Sequence, residues 1–191
     1  MLYNRLAAVQ YAQEWADSFN LEYVQFPNDC TNFVSQALRA GGWEMVGADV
    51  TDTFSDSKWW YGLSSITQAS HTWAGAANLA RFLELSGRGR RVDDPLLLDL
   101  GDVIQVETLG HINHAMMVTV KTPNDLALSY HTHPRLDKPF SEVQESYLPT
   151  STKFIFWKIS DTVGIIPAFR PFTINAKCPS HHQRTGWVPR H

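Results

Sequence analysis

The run Asn28-Asp29-Cys30-Thr31-Asn32-Phe33-Val34-Ser35-Gln36-Ala37-Leu38 constrains this chain more than any other stretch. Phe33, Val34, Ala37 and Leu38 recur at helical spacing, which predicts a buried helix starting near Cys30. Pro27 keeps a helix from running through from upstream, Asn28 and Asp29 are good N-cap types, and Gly41-Gly42 gives a stop. Cys30 then falls in the first turn, where backbone N–H groups lack helical partners and the dipole favours negative charge. Such a position favours thiolate over thiol. A cysteine there also serves as a small buried hydrophobe, so the nucleophile reading needs a base from elsewhere in the chain.

At 191 residues the chain is long enough for one domain with a real core. Lys plus Arg number 16 and Asp plus Glu 19, a net charge of −3, which supplies no strong field for nucleic acid or acidic lipid. Only Cys30 and Cys178 are present, so there is no disulfide framework; a bridge between them would consume the nucleophile. Met1-Leu2-Tyr3-Asn4-Arg5 lacks a charged start followed by a long apolar run, and no segment approaches membrane-spanning length. No signal peptide is expected within the chain, which suits a cytoplasmic protein or an excised mature domain. A monomer without cofactor, acting on a peptide or small amide, is the expectation; no nucleic-acid or membrane partner is.

Residues 5–19 carry Leu6, Val9, Ala12, Trp15, Ala16 and Phe19 on one face, which predicts an amphipathic helix. From Trp43 to about Ser70 the periodicity dissolves around Trp59, Trp60 and Tyr61. A loop this long either covers the core or walls a substrate cleft. A helix is expected near 73–85, followed by Gly87-Arg88-Gly89-Arg90-Arg91 as a polar connector. The second half holds short β-type runs at 101–106, 115–120, 126–131 and 154–158, with turn residues between them. Helices followed by an antiparallel sheet make an α+β layout. One domain over 1–166 and an irregular tail over 167–191 complete the expectation.

The base is offered by His111-Ile112-Asn113-His114, at a predicted strand entrance, and by His131, at the end of the next strand. A histidine entering a strand can project toward a helix N-terminus packed on the same sheet. His131 can then lie beside His114, giving a thiol, a base and a third group that orients the base. A metal site is the competing chemistry, since His111-x-x-His114, His131-x-His133, Cys178 and His181-His182 are zinc-type ligands. Their spacing matches neither a tight finger nor a His-Glu-x-x-His helix.

The blocks Tyr3-Asn4-Arg5, Asp29-Cys30-Thr31-Asn32-Phe33-Val34-Ser35-Gln36, Gly101-Asp102-Val103-Ile104, Asn113-His114-Ala115-Met116-Met117-Val118-Thr119 and Tyr130-His131-Thr132 resemble the putative amidase domain family. That family is a relative of the NlpC/P60 and CHAP peptidases with a papain-like fold. The resemblance, over roughly 3–158, implies Cys30 as nucleophile, His114 as general base and His131 as the residue that orients the base. Asn113 departs from the Asp expected before the histidine. The backbone N–H of Cys30 is the expected oxyanion donor, with Tyr23, Gln25 and Asn28 as candidates for a second. Asp29 is expected to belong to the substrate site or else to cap the helix, and Trp59 and Trp60 to wall the substrate cleft if they do not cover the core. The expected activity is amide cleavage through a Cys30 thioester, on a peptide-type substrate such as a cell-wall peptide. Transfer of the acyl group to an amine, and a non-catalytic peptide-binding module, stand as alternatives.

Overall fold

The helix begun by Cys30 is buried over nine consecutive residues. The computed structural model describes residues 2–62, 69–147 and 151–162; the expected tail over 167–191, and with it Cys178, lies outside the described residues. Helix α2, Cys30–Ala40, is buried from Cys30 through Leu38 because it lies between helix α1, Arg5–Trp15, and the sheet. Full burial forces every polar side chain in it to find a partner. Asn32 donates to the Val24 carbonyl and accepts from the Trp73 indole, Ser35 donates to the Trp73 carbonyl and accepts from the Trp59 indole, and Gln36 accepts from Tyr11. At its end, a Cβ on Gly41 would stand 2.4 Å from the Tyr3 ring, a gap only glycine fits.

Helix α1 is shorter than the predicted 5–19. Asn4 caps it by accepting from the Ala7 N–H at 3.1 Å, and its buried face is Ala8, Val9 and Ala12, while Leu6 stays 63% exposed. Close approach to α2 selects small residues, so the large apolar ones do not define the face. The expected helix over 73–85 is split at Gly75 into α3, His71–Ala74, and α4, Ala76–Ser86. The tryptophans of the stretch from Trp43 onward are interior, while Phe54 is exposed: Trp43, Trp59, Trp73 and Phe82 pack ring on ring with centroids 4.6–6.3 Å apart.

Among the described residues, six strands form one sheet: β1 (Gly89–Val92), β2 (Val103–Thr108), β3 (His111–Lys121), β4 (Leu126–Tyr130), β5 (Arg135–Pro139) and β6 (Thr152–Ile159). Their order is β1-β6-β2-β3-β4-β5 and every pairing is antiparallel, which gives the α+β class. Alternation along the strands builds two cores. Val103, Ala115, Met117 and Trp157 face α1, α2 and α4. Ile104, Val106, Met116, Val118, Leu128 and Tyr130 face the other way, against helix α5, Phe140–Ser146.

Three elements differ from the sequence reading. The segment expected as a polar connector is in part strand β1, paired with β6, and Arg88 before it lies over the Trp43 and Phe82 rings. Strand β5 and helix α5 carry no periodic apolar signal and were not expected. No helix among the described residues is long and apolar enough to cross a membrane.

Candidate active site

Cys30 opens α2 and is 4% exposed, yet it lines an open cavity of about 740 Å³ at one end of the sheet. Its Sγ lies 3.7 Å from the Thr31 hydroxyl. Asn28, exposed on the approach to the helix, lines the cavity as well. The amides of the first helical turn have no partners within the helix, so this wall offers N–H donors.

His114 comes to the same cavity from β3. The register places His114 opposite Val106 but Ile112 opposite Glu107, leaving Asn113 as an extra residue. This bulge sits next to the histidine and twists the strand where it leaves the sheet, a common device for aiming a side chain. The His114 ring meets Tyr130 edge-on at 5.2 Å. Burial pushes the imidazole down to about 4, with nearby His133 adding to the effect. It is therefore neutral at pH 7, the form in which one ring nitrogen keeps its lone pair. No Sγ–imidazole hydrogen bond is formed among the described residues; the cavity between them is open.

His131 occupies a different place from the one expected. Tyr130 and His131 are adjacent and point to opposite faces of the sheet: Tyr130 meets His114, and His131 lies 4.2 Å from the Phe33 ring of α2. Both ring nitrogens are taken, Nδ1 by Asp29 Oδ2 at 2.7 Å and Nε2 by the Trp15 carbonyl at 2.8 Å. A carbonyl oxygen only accepts, so Nε2 carries a proton. Asp29 Oδ1 already accepts from the Phe26 N–H and from Asn32, both at 2.9 Å, the pattern of a carboxylate that receives the Nδ1 proton as well. His131 thus ties the end of α1 and the end of β4 to the residue before Cys30, and is not brought to His114.

The same geometry corrects the cap. Asp29 stands at the N-cap position, with φ −94° and ψ −1°, but makes no side-chain cap bond. Its carboxylate reaches backward and inward instead. Tyr23 packs on Tyr61 and Trp73, Gln25 is exposed, and neither lines the cavity, whereas Asn28 does. Trp59 and Trp60 are 0% and 2% exposed and do not line this cavity, so of the two expectations for them the structure gives the buried one.

The sequence reading missed Tyr130, Thr132, Arg135, Lys138 and Tyr147, all of which line the cavity. Burial raises the Tyr130 and Tyr147 phenols, the latter also feeling Tyr130 and Cys30, so both are protonated donors at neutral pH. Thr132 has φ +76°, a strained value for a β-branched residue. Among the described residues, no group of three or more His, Cys, Asp or Glu is placed to hold a metal ion.

Comparison with known proteins gives the chain a family. The chain is 33% identical over 165 residues to the uncharacterized protein YhbB of Bacillus subtilis, covering 83% of this chain and 51% of that protein. It is 30% identical over 150 residues to the uncharacterized protein YjcM of the same organism, covering 72% and 32%. The chain therefore spans about half and about a third of the length of these relatives. No solved structure matches it significantly. A family model described as a putative amidase domain matches residues 2–155, so the chain belongs to that family, whose general reaction class is hydrolysis of amide bonds.

Proposed function

We propose that the protein is a cysteine amidase of papain-like type, acting on a peptide-type substrate, with Cys30 as nucleophile and His114 as general base. The observation that carries this reading is that a thiol at a helix N-terminus and a neutral imidazole from a facing strand line one open cavity.

The steps follow from what each group can do. His114 takes the Cys30 proton, and the thiolate adds to the amide carbonyl. The resulting oxyanion is met by the Cys30 backbone N–H, with the side chain of Asn28, which lines the same cavity, as a further donor. The C–N bond breaks as the imidazolium returns its proton to the leaving amine, leaving a thioester on Cys30. Water, deprotonated by His114, adds to the thioester; collapse releases the carboxylic acid and restores the thiol. His131 acts at one remove, as a positioning residue: with Asp29 it fixes the start of α2 and hence the sulfur. Hydrolysis is favoured over acyl transfer because Trp59 and Trp60, whose loop would have shut out water, are interior.

The experiment is mass spectrometry of the protein after a slow-turnover acyl substrate, with alkylation as a control. An adduct on Cys30, absent in Cys30→Ala, is expected, together with a loss of about 10³-fold or more in kcat/KM. Iodoacetamide should label Cys30 ahead of Cys178 at mildly acidic pH. An active Cys30→Ala variant would end the proposal; binding retained without any turnover in the wild type would point to a binding module instead.

A further inference from the structure

The cavity is charged on one side only, and the cause is a second bulge. Leu128 pairs with Lys138 and Tyr130 with Arg135, so two steps along β4 correspond to three along β5. Leu128 and Tyr130 point to the same face, and cross-strand partners share a face. Arg135 and Lys138, three apart, would lie on opposite faces of a regular strand. The extra residue brings both onto the cavity wall. Asp137 absorbs the irregularity at φ +47° and turns the other way. There its carboxylate accepts from Gln13 at 3.0 Å and from Ser129 at 3.3 Å, and its N–H donates to Ser129 Oγ.

The bulge therefore sorts charge, sending the one anion of β5 away from the cavity and both cations into it. Among the described residues, no Asp or Glu lines the cavity. The competing partners are weak: Arg135 Nη1 donates to the Pro134 carbonyl, and Glu142 stands 3.8 Å from Lys138 with 60% of its side chain exposed. Lys138 itself is 25% exposed, but a contact this long to a solvent-exposed carboxylate is weak, and leaves the ammonium available to a ligand.

We infer that the substrate carries a carboxylate, held by Arg135 and Lys138 on the β5 side while its amide lies between Cys30 and His114. This rests on the reading of Cys30 as nucleophile and adds the substrate's charge to it. A planar guanidinium beside an ammonium suits a carboxylate, and a cleft of one sign concentrates anions near the thiol.

The test compares alkylation of Cys30 by iodoacetate and by iodoacetamide, with glutathione as the reference thiol. The two reagents differ in charge and little in size, so their rate ratio reads the local field. The ratio at Cys30 should exceed that of glutathione by about fivefold or more and should fall with added salt. Arg135→Ala and Lys138→Ala should each lower the ratio by about threefold, while Arg90→Ala, away from the cavity, leaves it unchanged. As a second arm, acetyl-tetraalanine and its C-terminal carboxamide, and succinyl- and acetyl-trialanine anilide, are compared as substrates; the carboxylate member of one pair should be preferred. A reactive Cys30 with no anion preference in either arm overturns the inference and leaves the cysteine amidase reading standing. A Cys30 inert to both reagents overturns the two together.

Discussion

His114 carries the sharpest consequence at the scale of single residues. Its imidazole is pushed from an ordinary 6.5 down to about 4 by burial, so the unfolded chain binds a proton first as the solution is acidified. The stability this gives the fold is fully present above about pH 6.5 and is lost as pH falls toward 4, by roughly 2–3 kcal/mol. His114→Gln should flatten that part of the profile, measured as urea unfolding free energy against pH for both proteins; parallel profiles would show that the ring is not held neutral. The Asp29–His131 pair makes a second test. Asp29→Ala strands a buried imidazole that donates at both nitrogens and should cost about 3 kcal/mol or more in unfolding free energy. A loss below about 1 kcal/mol would mean that the pair does not hold α2 in place. Cys30 and His114 were legible from sequence because helix start and strand entrance are local patterns. The role of His131 was not. Tyr130 and His131 must face opposite ways, and nothing local says which of them turns toward His114.

Among the elements, the buried ones were readable and the sheet's edges were not. Strands β2, β3, β4 and β6 announce themselves by β-branched and aromatic runs, whereas β1 and β5 are the two ends of the sheet. Edge strands are kept charged, short or interrupted so that they do not recruit other chains, and Gly-Arg-Arg-Val and Arg-Leu-Asp-Lys-Pro answer that description. The charges and interruptions that protect such strands also remove the alternation by which a sequence would reveal them. The hairpin that delivers His114 shows a local conflict of another kind. Leu109 and Gly110 join β2 to β3 with φ +52° and +81°, a two-residue turn whose first position suits Asn or Gly, and Leu109 is 76% exposed. Leu109→Asn should stabilise the protein by about 1 kcal/mol, read as a higher urea midpoint at unchanged slope. A lower midpoint would mean that the leucine makes contacts that outweigh its backbone strain.

For the whole molecule, the question is what keeps Cys30, from the first half of the chain, at the same cavity as His114, from the second. Asp102, fully buried at the start of β2, answers much of it. One oxygen accepts from Arg5 at 2.7 Å and from the Ile159 N–H at 2.9 Å; the other accepts from the Asp99 N–H and meets Lys158 at 3.0 Å. Arg5 also reaches the carbonyls of Leu100 and Ile159, and Tyr3 that of Gly101. The start of α1 is thereby fastened to β2 and β6, while the end of α1 is fastened to His131 through the Trp15 carbonyl. The helix that supports α2 is thus held at both ends by groups from the second half of the chain. Asp102→Asn keeps the size but offers one acceptor oxygen where four donors converge, and should cost about 2–3 kcal/mol of stability. Because none of these groups lines the cavity, the folded fraction should alkylate at Cys30 with an unchanged rate and an unchanged iodoacetate preference. Calorimetry and alkylation on the same sample separate the two effects. A slowed Cys30 in fully folded Asp102→Asn would show that the anchor sets the sulfur's position, and not only the stability of the fold around it.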